Sequence, residues 1–318
     1  MNWYQILFLV VGLLALLIIL LGFLAFHGIF GKPKRSTKVP KYYVGTPHYT
    51  VSRAGMAIMK NLPVEDVYLT SRDGLKLHAY LFPAEGGAKK KFVLGIHGYR
   101  SYARPEYGPY IEYYRSLGYS MLLPDDRAHA PSEGNYIGFG VLDRLDCVDW
   151  AQYLVEQYGE NVEIRLHGVS MGAATVLAAS GEAELPKQVR SVVADCGYAS
   201  AEEIISYHLK HSFHLPKQPL YGLCEWFCKH LAGFGFSEHT PLDGVRHAKV
   251  PILFVQGGKD WMVPPHMVDE LYDACTAPKE KLFVPEAGHA ESIAFAPEKY
   301  HAAIEKLFAE TMPQNSVQ

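Results

Sequence analysis

The octet His167-Gly168-Val169-Ser170-Met171-Gly172-Ala173-Ala174 decides how the rest of the chain is read. It follows a short strand candidate at 164–166 and opens a run of small residues suited to a close-packed helix. A G-x-S-x-G pentapeptide in that setting predicts a sharp strand-to-helix turn. The two glycines permit the turn, the Ser170 hydroxyl points outward, and the helix N-terminus aims its amides at developing negative charge. A serine hydroxyl is a poor nucleophile until an imidazole takes its proton and a carboxylate orients that imidazole.

Both partners occur downstream, each just past a strand candidate. Asp260 lies in Gln256-Gly257-Gly258-Lys259-Asp260 after the run 252–255, and His289 lies in Glu286-Ala287-Gly288-His289 after 282–284. Catalytic loops gather at the C-terminal ends of parallel strands, so Ser170, Asp260 and His289 are expected to converge. Asp195, after the run 191–194, is a rival for the acid. An anionic tetrahedral intermediate also needs N–H donors. Met171, after the nucleophile, supplies one amide. Gly98 in Ile96-His97-Gly98-Tyr99, after the strand 92–96, permits a turn presenting the Tyr99 amide as the second, against the alternative of an ordinary strand-ending turn.

Working outward, runs at 67–70 and 75–82 flank Arg72-Asp73-Gly74, an Asp-Gly hairpin signal. Beyond it, short continuous apolar runs at 92–96, 120–123, 164–166, 191–194, 252–255 and 282–284 read as doubly buried parallel strands. Helical patterns at about 110–116, 142–158, 171–179, 266–275 and 298–310 alternate with them, so the fold class is α/β with a mostly parallel sheet. The stretch 200–242 is too long for a plain connection and predicts a small helical cap, about 199–243.

From about Val67 to Glu310 the chain resembles the α/β-hydrolase fold superfamily, in particular its membrane-anchored, small-capped bacterial serine hydrolases of the serine aminopeptidase/esterase-like branch. The resemblance implies an eight-stranded, mostly parallel sheet with helices on both faces, a triad of Ser170, His289 and Asp260, and no cofactor. Asp126-Arg127-Ala128-His129-Ala130-Pro131-Ser132-Glu133-Gly134 is similar to the D-x-R-G-H-G-x-S loop of that family, with Ala128 and Ala130 in place of glycines. Ordinary dihedrals are therefore expected at both alanines, with Arg127 and Ser132 as structural supports. Haloalkane dehalogenases and many epoxide hydrolases use an aspartate nucleophile, which Ser170 excludes here.

The N-terminal run 6–26 carries no charge and, at about 1.5 Å per residue, matches the roughly 30 Å hydrocarbon core of a bilayer. No Lys or Arg precedes it and no A-x-A-like site follows it, which favours a transmembrane anchor over a cleaved signal. Seven of the 30 basic residues (Lys32, Lys34, Arg35, Lys38, Lys41, Arg53, Lys60) fall between 27 and 63 with no acid among them, leaving 23 to face all 33 acids. This basic collar reads as an orientation signal, placing a single-pass protein in the cell membrane with its catalytic domain cytoplasmic, or as a solvated linker. The expected division is an anchor at 1–27, a basic linker at 28–63, of which 31–47 holds the domain off the membrane, and a hydrolase-like α/β domain at 64–318. The acidic body makes nucleic acid an unsuitable partner.

The five cysteines (Cys147, Cys196, Cys224, Cys228, Cys275) are odd in number and suit a reducing compartment. Cys224 and Cys228 read as core thiols rather than a metal pair. His208, His211 and His214 drift around a helix at their spacing and read as cap histidines, so no metal site is assigned; His97 and His167 read as loop supports. The aromatics Tyr207, Phe213, Tyr221, Trp226, Phe227, Phe234 and Phe236 suit either the roof of an acyl pocket or the core of the cap. Glu202, Glu203 and Glu225 are what a peptidase would use to hold a substrate amine. The leading expectation is hydrolysis of a carboxylic ester through an acyl-enzyme. Amide, peptide or thioester cleavage by the same triad, and a non-catalytic binding role, are the alternatives. The partners expected are a small acyl substrate, with amphiphilic molecules compatible with the anchor, and the membrane itself.

Overall fold

The strands form because their side chains find apolar surroundings on both sides. In β3 (Lys91–Ile96), Phe92, Leu94 and Ile96 enter one core while Val93 enters the other. β5 (Glu163–Val169), β6 (Val189–Asp195) and β7 (Ile252–Gly257) behave alike. This computed structural model describes residues 2–34, 43–87, 90–129 and 131–311. Arg35, Lys38, Lys41 and Ala130 lie outside the described residues.

β1 (Glu65–Thr70) and β2 (Lys76–Phe82) make the expected hairpin, with Gly74 at φ 86° in its turn. β2 pairs antiparallel with β4 (Ser120–Asp125), and all later pairings are parallel. With β8 (Lys279–Val284) the eight-stranded order is β1-β2-β4-β3-β5-β6-β7-β8. One face is covered by α5 (Asp143–Tyr158), α6 (Met171–Ser180) and α10 (Pro265–Ala274). The other carries α3 (Ala103–Tyr107), α4 (Ile111–Ser116) and α11 (Pro297–Glu310). The expected fold class stands.

The N-terminal region departs from expectation. α1 (Trp3–Phe30) is long and apolar enough to cross a membrane, but its last turns dock on the domain. Gly22, Phe26 and Phe30 recur every four residues on one buried face. Phe30 meets Phe139, Phe234 and Phe236, and Phe26 meets Tyr136 and Phe227. Burying Phe26 and Phe30 contributes roughly 1.5–3 kcal/mol each. Gly31 then bridges Tyr136, and the Ile137 amide donates to the Phe30 carbonyl at 2.7 Å. The linker expected to hold the domain away begins bonded to it.

A second correction falls in the same region. Residues 47–59 form α2 (Pro47–Met59), started by proline at its first turn and by Thr46, whose hydroxyl accepts the Tyr49 amide. Its buried face is His48, Ser52, Gly55 and Met59, and the Ser52 hydroxyl donates to the Pro105 carbonyl at 2.6 Å. A Cβ on Gly55 would stand 1.8 Å from the Gly108 carbonyl, so α2 lies backbone against backbone. Helical spacing built from polar and small residues gives no apolar period, and the helix was therefore illegible.

The cap consists of α7 (Ala201–His211), α8 (Leu220–Phe227) and a π-turn, Cys228–Ala232. Its C-terminal limit falls short of 243, because α9 (Pro241–Arg246), with a Thr240/Asp243 capping box, belongs to the body. Gly244 approaches the Leu177 carbonyl of α6 so closely that a Cβ would lie 2.2 Å from it.

Candidate active site

Strain marks the serine turn. Ser170 stands between β5 and α6 at φ 57°, ψ −116°, a backbone region that costs a non-glycine residue of order 1–3 kcal/mol. Its amide donates to the Asp195 carbonyl at 2.8 Å, which ties the turn to β6. The motif glycines work by lacking side chains rather than by unusual dihedrals. A Cβ on Gly168 would lie 2.1 Å from the Gly172 carbonyl, and one on Gly172 would lie 1.9 Å from the Ile96 carbonyl.

Ser170, His289 and Asp260 converge as expected. His289 Nε2 lies 2.9 Å from Ser170 Oγ, and Nδ1 lies 2.8 Å from Asp260 Oδ2. Asp260 Oδ1 accepts the Met262 and Val263 amides at 2.9 and 2.8 Å, and Gln256 Nε2 donates to Oδ2 at 3.3 Å. The two loops are zipped together, with the Gly258 amide donating to the Val284 carbonyl and the Lys259 amide to the Ala287 carbonyl. A Cβ on Gly257 would lie 2.5 Å from the Ala287 carbonyl, so this glycine lets the loops meet. Burial by itself would lower the His289 pKa. The Asp260 charge and hydrogen bond, with Glu106 and Asp195 behind them, outweigh it and raise the pKa above its ordinary value.

Asp195 does not reach the imidazole. It is fully buried beneath the turn, where its Oδ2 accepts the Tyr300 hydroxyl at 3.0 Å and the Tyr110 hydroxyl at 3.5 Å, while Oδ1 has no hydrogen-bond partner among the described residues. Desolvation pushes its pKa up to about 7. Of these two acids, Asp260 is the one within hydrogen-bond distance of His289.

The His97-Gly98-Tyr99 loop lies against Ser170: a Cβ on Gly98 would stand 3.2 Å from Ser170 Cβ. Among the described residues, neither the Tyr99 nor the Met171 amide donates to another group. His97 braces this loop, with Nδ1 2.8 Å from the Gly98 carbonyl oxygen and Nε2 accepting the Asp126 amide at 3.0 Å. His167 is enclosed by the Tyr114 and Tyr300 hydroxyls at 2.9 and 3.2 Å. Arg127 forks onto Asp146 and Asp73, and the Ser132 hydroxyl donates to the Asp125 carbonyl, both as supports. Ala128 overturns its expectation. It adopts φ 63°, with its amide bound to the Glu133 carbonyl at 2.8 Å, so position 128 keeps a glycine-like conformation without glycine.

Sequence reading missed three contributors. Buried Glu106 accepts the Gly98 amide at 3.3 Å and holds the loop beside Ser170; desolvation raises its pKa. The Tyr43 hydroxyl donates to the His289 carbonyl at 3.0 Å, and buried His48 of α2 stacks on Tyr43. A lone glutamate in Arg104-Pro105-Glu106 and a tyrosine in an apparent linker carried no motif that could flag them.

The cap candidates are accounted for locally. His208 bonds the Ser212 hydroxyl, His211 stacks on Tyr207, and His214 lies at φ 53° beyond the helix. Tyr221, Phe227, Phe234 and Phe236 serve the cap core and the socket for α1, whereas Phe213 and Trp226 are exposed. Cys224 and Cys228 are buried free thiols. Among the described residues, one group of three potential metal ligands comes together, Cys196, Asp260 and His289. Two of its members are already engaged with each other and with Ser170.

Residues 153–290, which include all three of these side chains, match the family model described as Serine hydrolase (FSH1). The Bacillus subtilis protein YqkD is 30% identical over 184 residues, covering 58% of this chain and 60% of that protein, less than two thirds of its length. The Saccharomyces cerevisiae membrane protein YNL320W is 26% identical over 242 residues, covering 74% of this chain and 76% of its own. Among solved structures, the Pyrococcus furiosus esterase Pf2001 superposes with a TM-score of 0.67 at 23% identity, covering 89% of this chain and 99% of that one. Sheet order, the strained serine turn and these likenesses agree: the chain has the α/β-hydrolase fold, and its residues 153–290 are similar to a family of serine hydrolases.

Proposed function

We propose that the protein hydrolyses a carboxylic ester of a small acyl substrate through a covalent acyl-enzyme. Ser170 Oγ attacks the carbonyl carbon as His289 Nε2 takes its proton, and Asp260 holds the imidazole and stabilises its charged form. The Met171 and Tyr99 amides receive the oxyanion. The C–O bond to the alcohol breaks as His289 returns the proton to the leaving oxygen. Water, deprotonated by the same imidazole, then releases the carboxylic acid and restores Ser170. The observation that carries this reading is the unbroken relay from Asp260 through His289 to Ser170.

The ester reading is preferred to aminopeptidase chemistry because the cap carboxylates are engaged. Glu202 holds Lys217 and Ser237, Glu203 meets His266 at 3.1 Å, and Glu225 pairs with Lys229. The basic collar supports a cytoplasmic catalytic domain on a single-pass membrane protein. Cleavage of the domain by protease added outside intact cells would contradict that placement.

The decisive experiment labels wild type and Ser170→Ala with an active-site-directed fluorophosphonate. Label is expected on the wild type alone, together with a drop in p-nitrophenyl ester turnover of about 10⁵ to 10⁶ in the variant. Turnover of aminoacyl amides but not of p-nitrophenyl esters would replace the ester assignment by a peptidase one.

A further inference from the structure

The end of the membrane helix and the nucleophile lie on two sides of one loop. Past Gly98, which abuts Ser170, the Tyr99 hydroxyl donates to the Ile29 carbonyl at 2.7 Å and the Arg100 guanidinium donates to the Gly28 carbonyl. Those carbonyls belong to the last turn of α1, where a helix has no donors of its own for them. Ring contacts continue the link, from Phe30 to Phe139 at 4.9 Å and from Phe139 to Tyr99 at 5.1 Å. An apolar path therefore runs from the base of the anchor to the edge of the site.

The level of the bilayer surface follows from α1 itself. Every residue from Trp3 to Leu21 is exposed, and at about 1.5 Å per residue that stretch matches the roughly 30 Å hydrocarbon core. Gly22 is the first buried position. A Cβ there would lie 2.7 Å from Leu223 Cβ, and the Cys224 thiol donates to the Gly22 carbonyl at 3.9 Å. α8 thus crosses α1 at the depth of the headgroup boundary. In α8 and the π-turn, Trp226 and Leu231 are 53% and 45% exposed, beside exposed Lys229 and His230. Phe227, beside Trp226, meets Phe23 and Phe26, within about 6 Å of Gly22 along the α1 axis. A tryptophan with basic neighbours near that boundary suits the membrane–water interface, where the ring sits among headgroups.

We propose that this face of the cap, centred on Trp226 and Leu231, is seated in the leaflet that receives the C-terminal part of α1, and that the ester presented to Ser170 is an acyl lipid drawn from that leaflet. The substrate half of this inference rests on the ester-hydrolase reading above; the seating half does not.

The test uses the full chain in phosphatidylcholine vesicles. Fluorescence quenching by acyl-brominated phosphatidylcholine, compared between wild type and Trp226→Phe, isolates the signal of Trp226, which is expected to be quenched. Hydrolysis of 1-oleoylglycerol held in the vesicles is compared with that of water-soluble p-nitrophenyl acetate in the Trp226→Glu, Leu231→Glu double variant. Turnover of the vesicle-held ester is expected to fall about tenfold or more, with the soluble ester changed by less than about twofold, while Trp226→Tyr retains both. An unquenched Trp226 overturns the seating. Equal lipid turnover by the double variant and wild type, or parallel loss of both substrates, overturns the delivery of lipid through this face. Quenching of Trp226 in a wild-type protein that hydrolyses neither ester supports the seating and overturns the ester reading with its lipid substrate.

Discussion

Asp195 and Asp260 are two buried carboxylates at the C-terminal ends of neighbouring parallel strands, and their surroundings give them opposite characters. Asp260, just past β7, accepts two backbone amides, a glutamine amide and the His289 imidazole. Asp195, at the end of β6, has two tyrosine hydroxyls on one oxygen and, among the described residues, no hydrogen-bond partner on the other. N–H donors compensate a buried negative charge, whereas sparse hydroxyl contacts leave desolvation dominant. Two acids eligible by position are thus separated into one that bonds the His289 imidazole and one that packs beneath the Ser170 turn.

The largest expected effect sharpens this contrast directly. Asp260→Asn is expected to lower kcat on a p-nitrophenyl ester by about 10⁴, and Asp195→Asn by no more than a few-fold. Comparable losses in the two variants would break the distinction. Next comes pH. The imidazole must be neutral to act as a base, and the His289 pKa is raised, so kcat/KM should fall about tenfold per pH unit below a midpoint lying above 6.5. Residual activity of Asp260→Asn should show that midpoint displaced downward, since the main charge opposing desolvation is gone.

Glu106 offers a milder test, because it holds the site loop through the Gly98 amide and reaches His289 only through its charge. Glu106→Gln is expected to cost about tenfold in kcat with little change in KM, measured on the same ester. The smallest effect concerns stability. Desolvation raises the folded-state pKa of Asp195 to about 7, above the unfolded value of about 3.9. Its contribution is therefore fully present below about pH 4 and is lost as pH rises through about 7. In Asp195→Asn that loss disappears, so the decrease in Tm between pH 5 and pH 8 should narrow by several degrees in thermal unfolding.

Much of this architecture is legible in linear order because its signals are local. The strands read as short apolar runs since both faces of the sheet are covered, and Phe92, Val93 and Leu94 all had to be apolar. Ser170 was visible because a serine between two close backbones needs glycine at 168 and 172. α2 was hidden because its buried face is His48, Ser52 and Gly55, and Ala128 was misread because its strained φ is imposed by the surrounding loop.

The boundary between the two kinds of knowledge runs through the site itself. The chain's own order of residues determined the α/β class, the serine turn, an apolar helix long enough for a bilayer, and the candidates Asp260 and His289, each through spacing and residue chemistry within a few positions. Tertiary structure decided between Asp260 and Asp195, recruited Glu106 and Tyr43, and set the last turn of α1 against Tyr99 and Arg100. Those outcomes depend on which atoms meet across more than 60 residues of chain in several cases, as from Ile29 to Tyr99. Desolvation and hydrogen-bond supply at such meetings exist only after the core has closed.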